Sequence, residues 1–373
     1  MHILYFFPET SSYMFQWQRV HIFDALERAG HSITVYNPLT FKSIDEANDR
    51  LPDALKQAKP SFDLFMNAAP ARFLYKETMQ KIQQIGIPTL LICFDNLHAP
   101  FIHQSIAPYF DLVWLTSWET QLMFNKWHCN TIFQPYAANP FTFVPHYGTE
   151  IPSIGFVGTL YDDRVNRVNQ LTSNQIPCTL YSDAFFEDGR KSTNKSLTYK
   201  ETALLLSHLS QFGIGRKVAY GTIKNKLFSR NNLLNKNDFL TLQHSIPFGQ
   251  MSQVYSNHAL SLGISELRNT FVLNHPVHKL HLRTFEIPMC GGLQIAPYVE
   301  ELARYFEDGK EIILCKNNEE FLSKATFYLK PENDTLRKTM KENARKRAEA
   351  DHTWMHRFNK IFNSLFGNST LVH

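Results

Sequence analysis

Apolar and polar positions along the first third of the chain alternate between two periods. His2-Ile3-Leu4-Tyr5-Phe6-Phe7 is a short apolar run that predicts a buried strand; a Pro/Glu/Thr/Ser loop follows, and over 15–29 apolar residues recur at helical spacing. Gly30-His31 closes that helix and 32–36 supplies the next strand, so the opening reads strand, helix, glycine stop, strand. The same alternation returns as a strand over 62–66, a helix around 76–85, and strands over 88–94 and 112–116. Strands that alternate with helices predict a parallel sheet covered on both faces, with ligands at the carboxyl ends of the strands. The N-terminal part therefore reads as a Rossmann-like domain.

The regular pattern stops near Gln134-Pro135-Tyr136 and Val144-Pro145, where proline density rises as in a connection. A second series starts with Ser153-Ile154-Gly155-Phe156-Val157-Gly158-Thr159, a strand running into a glycine turn, followed by a helix that bears Arg164 and Arg167. Strands over 178–181, 259–264, 293–296 and 312–315 come later, with a helix from 284. Residues 332–350 read as a charged helix. After Asp351 an amphipathic helix runs through Trp354, Phe358, Ile361, Phe362 and Leu365. Two α/β domains are expected, with the boundary after 148.

At 373 residues the chain is longer than a single core usually spans, in keeping with two domains. Its cysteines (Cys93, Cys129, Cys178, Cys290, Cys315) are scattered, odd in number and without metal-ligand spacing, which fits a reducing, cytoplasmic setting better than a disulfide framework. The N-terminus lacks a basic stretch and a signal-length apolar run, and no later run reaches membrane-spanning length. A soluble protein without a transmembrane segment is expected. The net charge of +4 is uneven, −3 over residues 1–150 and +7 over the remainder. Most of the excess lies between Gly189 and Asn237, where ten basic residues meet one acid, Glu201. This basic insertion, about 186–237, is either a solvated surface or a track for an anionic acceptor along Lys191, Lys195, Arg216, Lys217, Lys224 and Lys226.

The chemistry concentrates in Leu282-Arg283-Thr284-Phe285-Glu286-Ile287-Pro288-Met289-Cys290-Gly291-Gly292-Leu293-Gln294-Ile295-Ala296. Arg283 can form forked hydrogen bonds with a phosphate, Glu286 can accept from two vicinal hydroxyls, and Gly291 and Gly292 let backbone approach a helix and a ligand. An ion pair at a helix start is the structural alternative for Arg283 and Glu286. Phe306-Glu307-Asp308-Gly309-Lys310-Glu311-Ile312 and His352-Thr353-Trp354-Met355-His356-Arg357 follow in order. Together the three blocks resemble the donor-site signature of GT-B glycosyltransferases, specifically the CgeB-like spore-protein glycosyltransferase group. The resemblance implies an α/β fold of two Rossmann-like domains facing a cleft. It assigns 1–148 to an acceptor domain, completed by a C-terminal helix over 353–373 that crosses back to it, and 149–352 to a nucleotide-sugar donor domain.

Within that resemblance Glu286 is the ribose-binding glutamate, the second acid of an E-x7-E pattern whose first position is here His278. His278 is a contact to sugar or phosphate, or else part of the polar loop 275–279. Thr284 and the two glycines complete the donor segment. Gly158 and Thr159, after a strand, can offer N–H groups and a hydroxyl to a phosphate, with Arg164 as a helper or a surface residue. Phe248, near the start of a helix, is a candidate nucleobase stack or a core residue. Arg283 also counts as catalytic, because its charge would offset the diphosphate that develops on bond cleavage. At the carboxyl end of the strand over 88–94, Asp95 is the first choice for a catalytic or substrate-orienting acid, His98 the second and Glu9, in the loop after the first strand, the third. A helix cap or Asx turn is the structural alternative for Asp95. No Asp-x-Asp stands where a metal-dependent transferase would need it, so neither a metal nor a cofactor beyond the nucleotide-sugar co-substrate is expected.

The expected function is transfer of a hexosyl or pentosyl group from a nucleotide-diphosphate sugar to an acceptor hydroxyl in surface glycan or glycoconjugate assembly. The acceptor would be a glycan or lipid-linked saccharide, or alternatively DNA with hydroxymethylated bases, whose phosphates the basic insertion would follow. A non-catalytic nucleotide-sugar-binding module and an epimerase of the same fold are the rival readings.

Overall fold

The computed structural model describes residues 1–10, 13–97, 99–160, 163–183, 199–228 and 233–367; His98, Lys191 and Lys195 lie outside them. The chain divides into two compact units, Met1–Asn139 with Trp354–His373, and Pro140–Thr353.

In the first unit β1 (His2–Phe6), β2 (Ser32–Tyr36), β3 (Leu64–Asn67), β4 (Thr89–Cys93), β5 (Leu112–Leu115) and β6 (Thr131–Phe133) form a sheet of order β2-β1-β3-β4-β5-β6. Every ladder is parallel. The central strands β3, β4 and β5 are buried at every position. That is why they read as continuous apolar runs, since helices cover both faces of such a sheet. The covering helices are α1 (Tyr13–Gln18), α2 (Asp24–Arg28), α3 (Ile44–Gln57), α4 (Lys76–Gln83) and α5 (Gln121–Lys126). A π-helical turn over Arg19–Phe23 joins α1 to α2 and buries His21, Ile22 and Phe23. Leu4, Phe6, Phe65, Leu91 and Val113 belong to the core of this unit.

The second unit repeats the plan with β7 (Ile151–Val157), β8 (Cys178–Tyr181), β9 (Leu240–Gln243), β10 (His258–Leu262), β11 (Gln294–Pro297) and β12 (Ile313–Cys315). These pair in parallel in the order β12-β11-β10-β7-β8-β9. Its helices are α6 (Asp163–Ser173), α7 (Tyr199–Ser210), α8 (Gly213–Phe228), α9 (Phe248–Asn257), α10 (Arg283–Met289), α11 (Glu300–Tyr305), α12 (Asn318–Leu329) and α13 (Asp334–Asp351). Ile154, Phe156, Leu180, Leu260 and Ile295 belong to its core.

The last helix, α14 (Trp354–Phe366), belongs to the first unit, as the resemblance implied. Trp354 stacks on Trp17 with ring centroids 6.0 Å apart and meets Trp114 at 5.9 Å. The first unit closes at Asn139, ahead of the boundary expected after 148. Residues beyond it are tied to the second unit, where His146 N donates to Ser256 Oγ at 3.0 Å and Gly148 N to Asn257 Oδ1 at 2.9 Å.

Candidate functional site

In the second unit the buried strand β7 delivers Gly158 at its carboxyl end with φ +135°, a conformation that L side chains rarely adopt. The vacant Cβ position is used: a methyl there would come 2.6 Å from Nη2 of Arg283. Arg283 opens α10, and its Nη2 donates to Val157 O at 2.6 Å while the guanidinium carbon sits 4.7 Å from the centroid of Phe156. Its Nε, also buried, has no hydrogen-bond partner among the described residues. A buried donor left in this state costs free energy until an acceptor arrives, which is what an anionic ligand supplies. Arg164 adds a second cation: Nη1 donates to Thr159 O at 2.8 Å and the guanidinium lies 5.7 Å from the same phenylalanine ring. Two guanidinium groups thus flank the turn Gly158-Thr159.

Glu286 lies three residues beyond Arg283 on α10 and is buried. Among the described residues Arg283 forms no ion pair with it; Nη2 of Arg283 turns instead to the end of β7. Thr284 and Arg283 line a pocket together with Gly263, Ser265, His281 and Gln294. His278 is not among its lining residues. Its Nδ1 is 3.0 Å from Ser265 Oγ, a lining residue, and its backbone bridges Glu266. Gly291 has φ +68° and would press a side chain on Tyr147, and a methyl on Gly292 would come 2.7 Å from Tyr255 O. Both serve the tight turn of α10 into β11, and at Gly292 the close packing against α9.

Other candidates in this unit separate. Arg167 is committed elsewhere, its Nη2 to Glu266 Oε1 at 3.0 Å and Nη1 to Asn318 Oδ1 at 2.8 Å. Phe248 is half-buried at the start of α9, so it is not a core residue. Nearby, Asp183 accepts from Ser245 N at 3.0 Å and from Ser245 Oγ, and these bonds hold its carboxyl below the usual carboxylate range. The basic track is also partly spent. Arg216 Nη1 donates to Ser210 O at 3.0 Å, capping α7, and Lys224 Nζ donates to Val272 O at 2.7 Å. Lys217 and Lys226 are exposed. The segment is no loose insertion over its described part, because α7 and α8 pack as a helical pair.

In the first unit Asp95 follows β4 with φ +57°, in the left-handed region that few non-glycine residues adopt, aspartate among the more frequent. The hydroxyl of Tyr136 donates to Asp95 Oδ1 at 2.8 Å. Tyr136 is itself anchored by α14, since Arg357 Nη2 donates to Tyr136 O at 3.3 Å and Trp354 packs edge-on against the Tyr136 ring at 6.5 Å. The His-Thr-Trp-Met-His-Arg block thereby braces the Asp95 turn. Glu9, in the loop after β1, is held in an ion pair. Arg19 grips it with two bonds of 2.7 Å, and that hydrogen bonding holds its carboxyl below the ordinary range.

Several members of these arrangements escaped the sequence. Tyr136 sits in a proline-rich connection and carries no motif. Gln294 stood in the donor segment and the strand over 293–296 without a role of its own; its Oε1 and the neighbouring Ser261 Oγ are buried without partners among the described residues. Ser265 follows β10 where the apolar stretch gives way to polar residues, a signal too weak to single out.

Residues 221–363 match the family model described as glycosyl transferase-like. No curated protein matches the chain. Among solved structures it is similar to sucrose-phosphate synthase from Thermosynechococcus elongatus, with 14% identity, 99% of each chain covered and a TM-score of 0.54. It is also similar to Anabaena HepE in complex with UDP-glucose, with 11% identity, 98% of this chain and 99% of that one covered and a TM-score of 0.55. An α-glucosyltransferase in complex with UDP and a 13-mer DNA containing an HMU base gives 11% identity, coverage of 98% and 99%, and a TM-score of 0.60. These likenesses establish the fold, two α/β units of the GT-B type.

Proposed function

We propose that the chain transfers a sugar from a nucleotide-diphosphate sugar to an acceptor hydroxyl, with the donor held by the second unit. The observation that carries this reading is the guanidinium of Arg283, lodged over Gly158 at the end of β7 with Nε unpaired. In this role Arg283 and Arg164 take up the charge of the departing diphosphate, and Glu286, on the same helix, accepts the ribose hydroxyls. The family match over 221–363 supports the reading, because it includes both Arg283 and Glu286. UDP-sugars are the first donors to test, since HepE and the α-glucosyltransferase are described as complexes with UDP-glucose and UDP. The two guanidinium groups supply the cationic charge, so we assign no metal to the reaction; turnover in excess chelator checks this.

For the acceptor proton we assign Asp95, in an uncommon backbone conformation and hydrogen-bonded by Tyr136. We place the reaction in glycan or glycoconjugate assembly of the CgeB-like kind, in the cytoplasm, where the five free and buried cysteines stay reduced. Modified DNA is the second acceptor reading, favoured by the exposed Lys217 and Lys226 and by the DNA in the similar α-glucosyltransferase complex. The deciding experiment offers an anionic oligosaccharide and a duplex with hydroxymethylated bases side by side and follows release of nucleotide diphosphate. Release only with the duplex replaces glycan by DNA. Donor binding without any release, slow hydrolysis included, reduces the protein to a binding module.

A further inference from the structure

The outer face of α8 has no part in the donor chemistry. Its inner face is fastened by the buried Val218 and by Asn225 Nδ2 on Asn269 Oδ1 at 2.9 Å, and beside the outer stripe Lys224 Nζ is tied down on Val272 O at 2.7 Å. With its rotation so fixed, the helix turns Tyr220, Ile223 and Leu227 outward, and they are 61%, 50% and 69% exposed. Spacings of three and four residues place them on one stripe. At 100° per residue, the exposed Lys217 and Lys226 fall roughly 90° to either side of that stripe. α8 carries Arg216, Lys217, Lys224 and Lys226 and no acidic residue. An apolar line bordered by lysines on both sides needs a partner that is apolar and anionic together. A nucleic-acid backbone rewards the lysines and leaves three apolar side chains against charge. A second copy in two-fold contact brings like charges face to face.

We propose that α8 docks on an anionic membrane surface, lying in its plane with Tyr220, Ile223 and Leu227 in the boundary between headgroups and acyl chains and Lys217 and Lys226 on the phosphates. Among the described residues no helix is long and apolar enough to cross a membrane, so the attachment is peripheral and reversible. It is independent of the donor reading, because vesicle binding requires no nucleotide sugar.

Co-sedimentation of the full chain with phosphatidylcholine vesicles, with and without phosphatidylglycerol, tests the proposal. The wild-type chain should sediment with the anionic vesicles, less as salt is raised, and remain in solution with the neutral ones. Tyr220→Ser/Ile223→Ser/Leu227→Ser should weaken partitioning by about tenfold or more, and Lys217→Gln/Lys226→Gln by about fivefold per lysine. Unchanged melting temperatures would show both variants folded; were the triple variant to melt early, Leu227→Ser alone should give a smaller loss in the same direction. No sedimentation of the wild-type chain, or equal sedimentation of all variants, overturns the proposal. So does a stripe-dependent dimer, or a duplex DNA bound equally by the wild-type chain and the apolar variant, in the absence of vesicle binding. A variant that leaves vesicles yet keeps its thermal response to nucleotide sugars separates this surface from the donor site.

Discussion

Gly158 and Arg283 are packed against each other in the second unit, and each makes a prediction. Gly158→Ala forces an L residue to φ +135° and pushes Nη2 of Arg283 from its place. The strain costs about 1–3 kcal/mol, and donor affinity should fall with it. Titration with the preferred nucleotide sugar checks this; equal affinity in a folded variant would mean that Arg283 does not meet the donor. Arg283→Lys keeps the charge and loses the planar fork. Turnover should fall by about tenfold to a hundredfold, with a smaller change in donor affinity. Kinetics equal to wild type would make the arginine a structural brace for β7. Both residues were legible in the sequence by type and motif, but their contact was not, because 124 intervening positions hide it until β7 and α10 are folded together.

At the scale of elements, the strongest expectations were strands buried on both faces, such as β4 and β5, whose apolar runs leave little alternative. Elements with mixed signals were missed. The edge strand β9 alternates half-buried and exposed residues over only Leu240–Gln243, too short to stand out from a loop. Charge told only part of the story: 332–350 read as a charged helix, and within it Lys341 Nζ donates to Ser256 O at 3.0 Å and His258 O at 2.7 Å, and Arg337 Nη1 to Tyr328 O at 2.7 Å. Long cationic side chains can reach buried carbonyls, and composition does not reveal when they do. The α14 brace gives a test at this scale. Tyr136→Phe removes the donor to Asp95 while keeping the ring that packs on Trp354. Expected is a fall in kcat of about tenfold with donor affinity unchanged, the loss of one hydrogen bond to a carboxylate. An unaltered kcat would remove Asp95 from the reaction.

For the whole molecule, each unit carries a buried histidine whose titration couples folding to pH. Burial pushes His103 in the first unit, and His258 in the second, from an ordinary 6.5 down to about 4. Between those two values the unfolded chain binds protons that the folded chain refuses, so stability rises with pH across the window and is lost as pH falls through it. Each group contributes up to about 3 kcal/mol to that loss. Urea midpoints should drop between pH 6.5 and 4, and His258→Gln should flatten the drop for the second unit. A variant with the wild-type slope would show that His258 is protonated in the fold.

The central claim, a nucleotide-sugar site built on Arg283 and Glu286, is tested most directly by melting the wild-type chain and Glu286→Gln against a panel of nucleotide-diphosphate sugars, UDP-sugars first. A donor present at a hundredfold its Kd should stabilise the wild-type chain by about 2.7 kcal/mol. The variant, folded and with the same melting temperature in the absence of ligand, should lose about 1–3 kcal/mol of donor binding and most of that shift. No response of the wild-type chain to any member of the panel, or an identical response in the variant, would contradict the account.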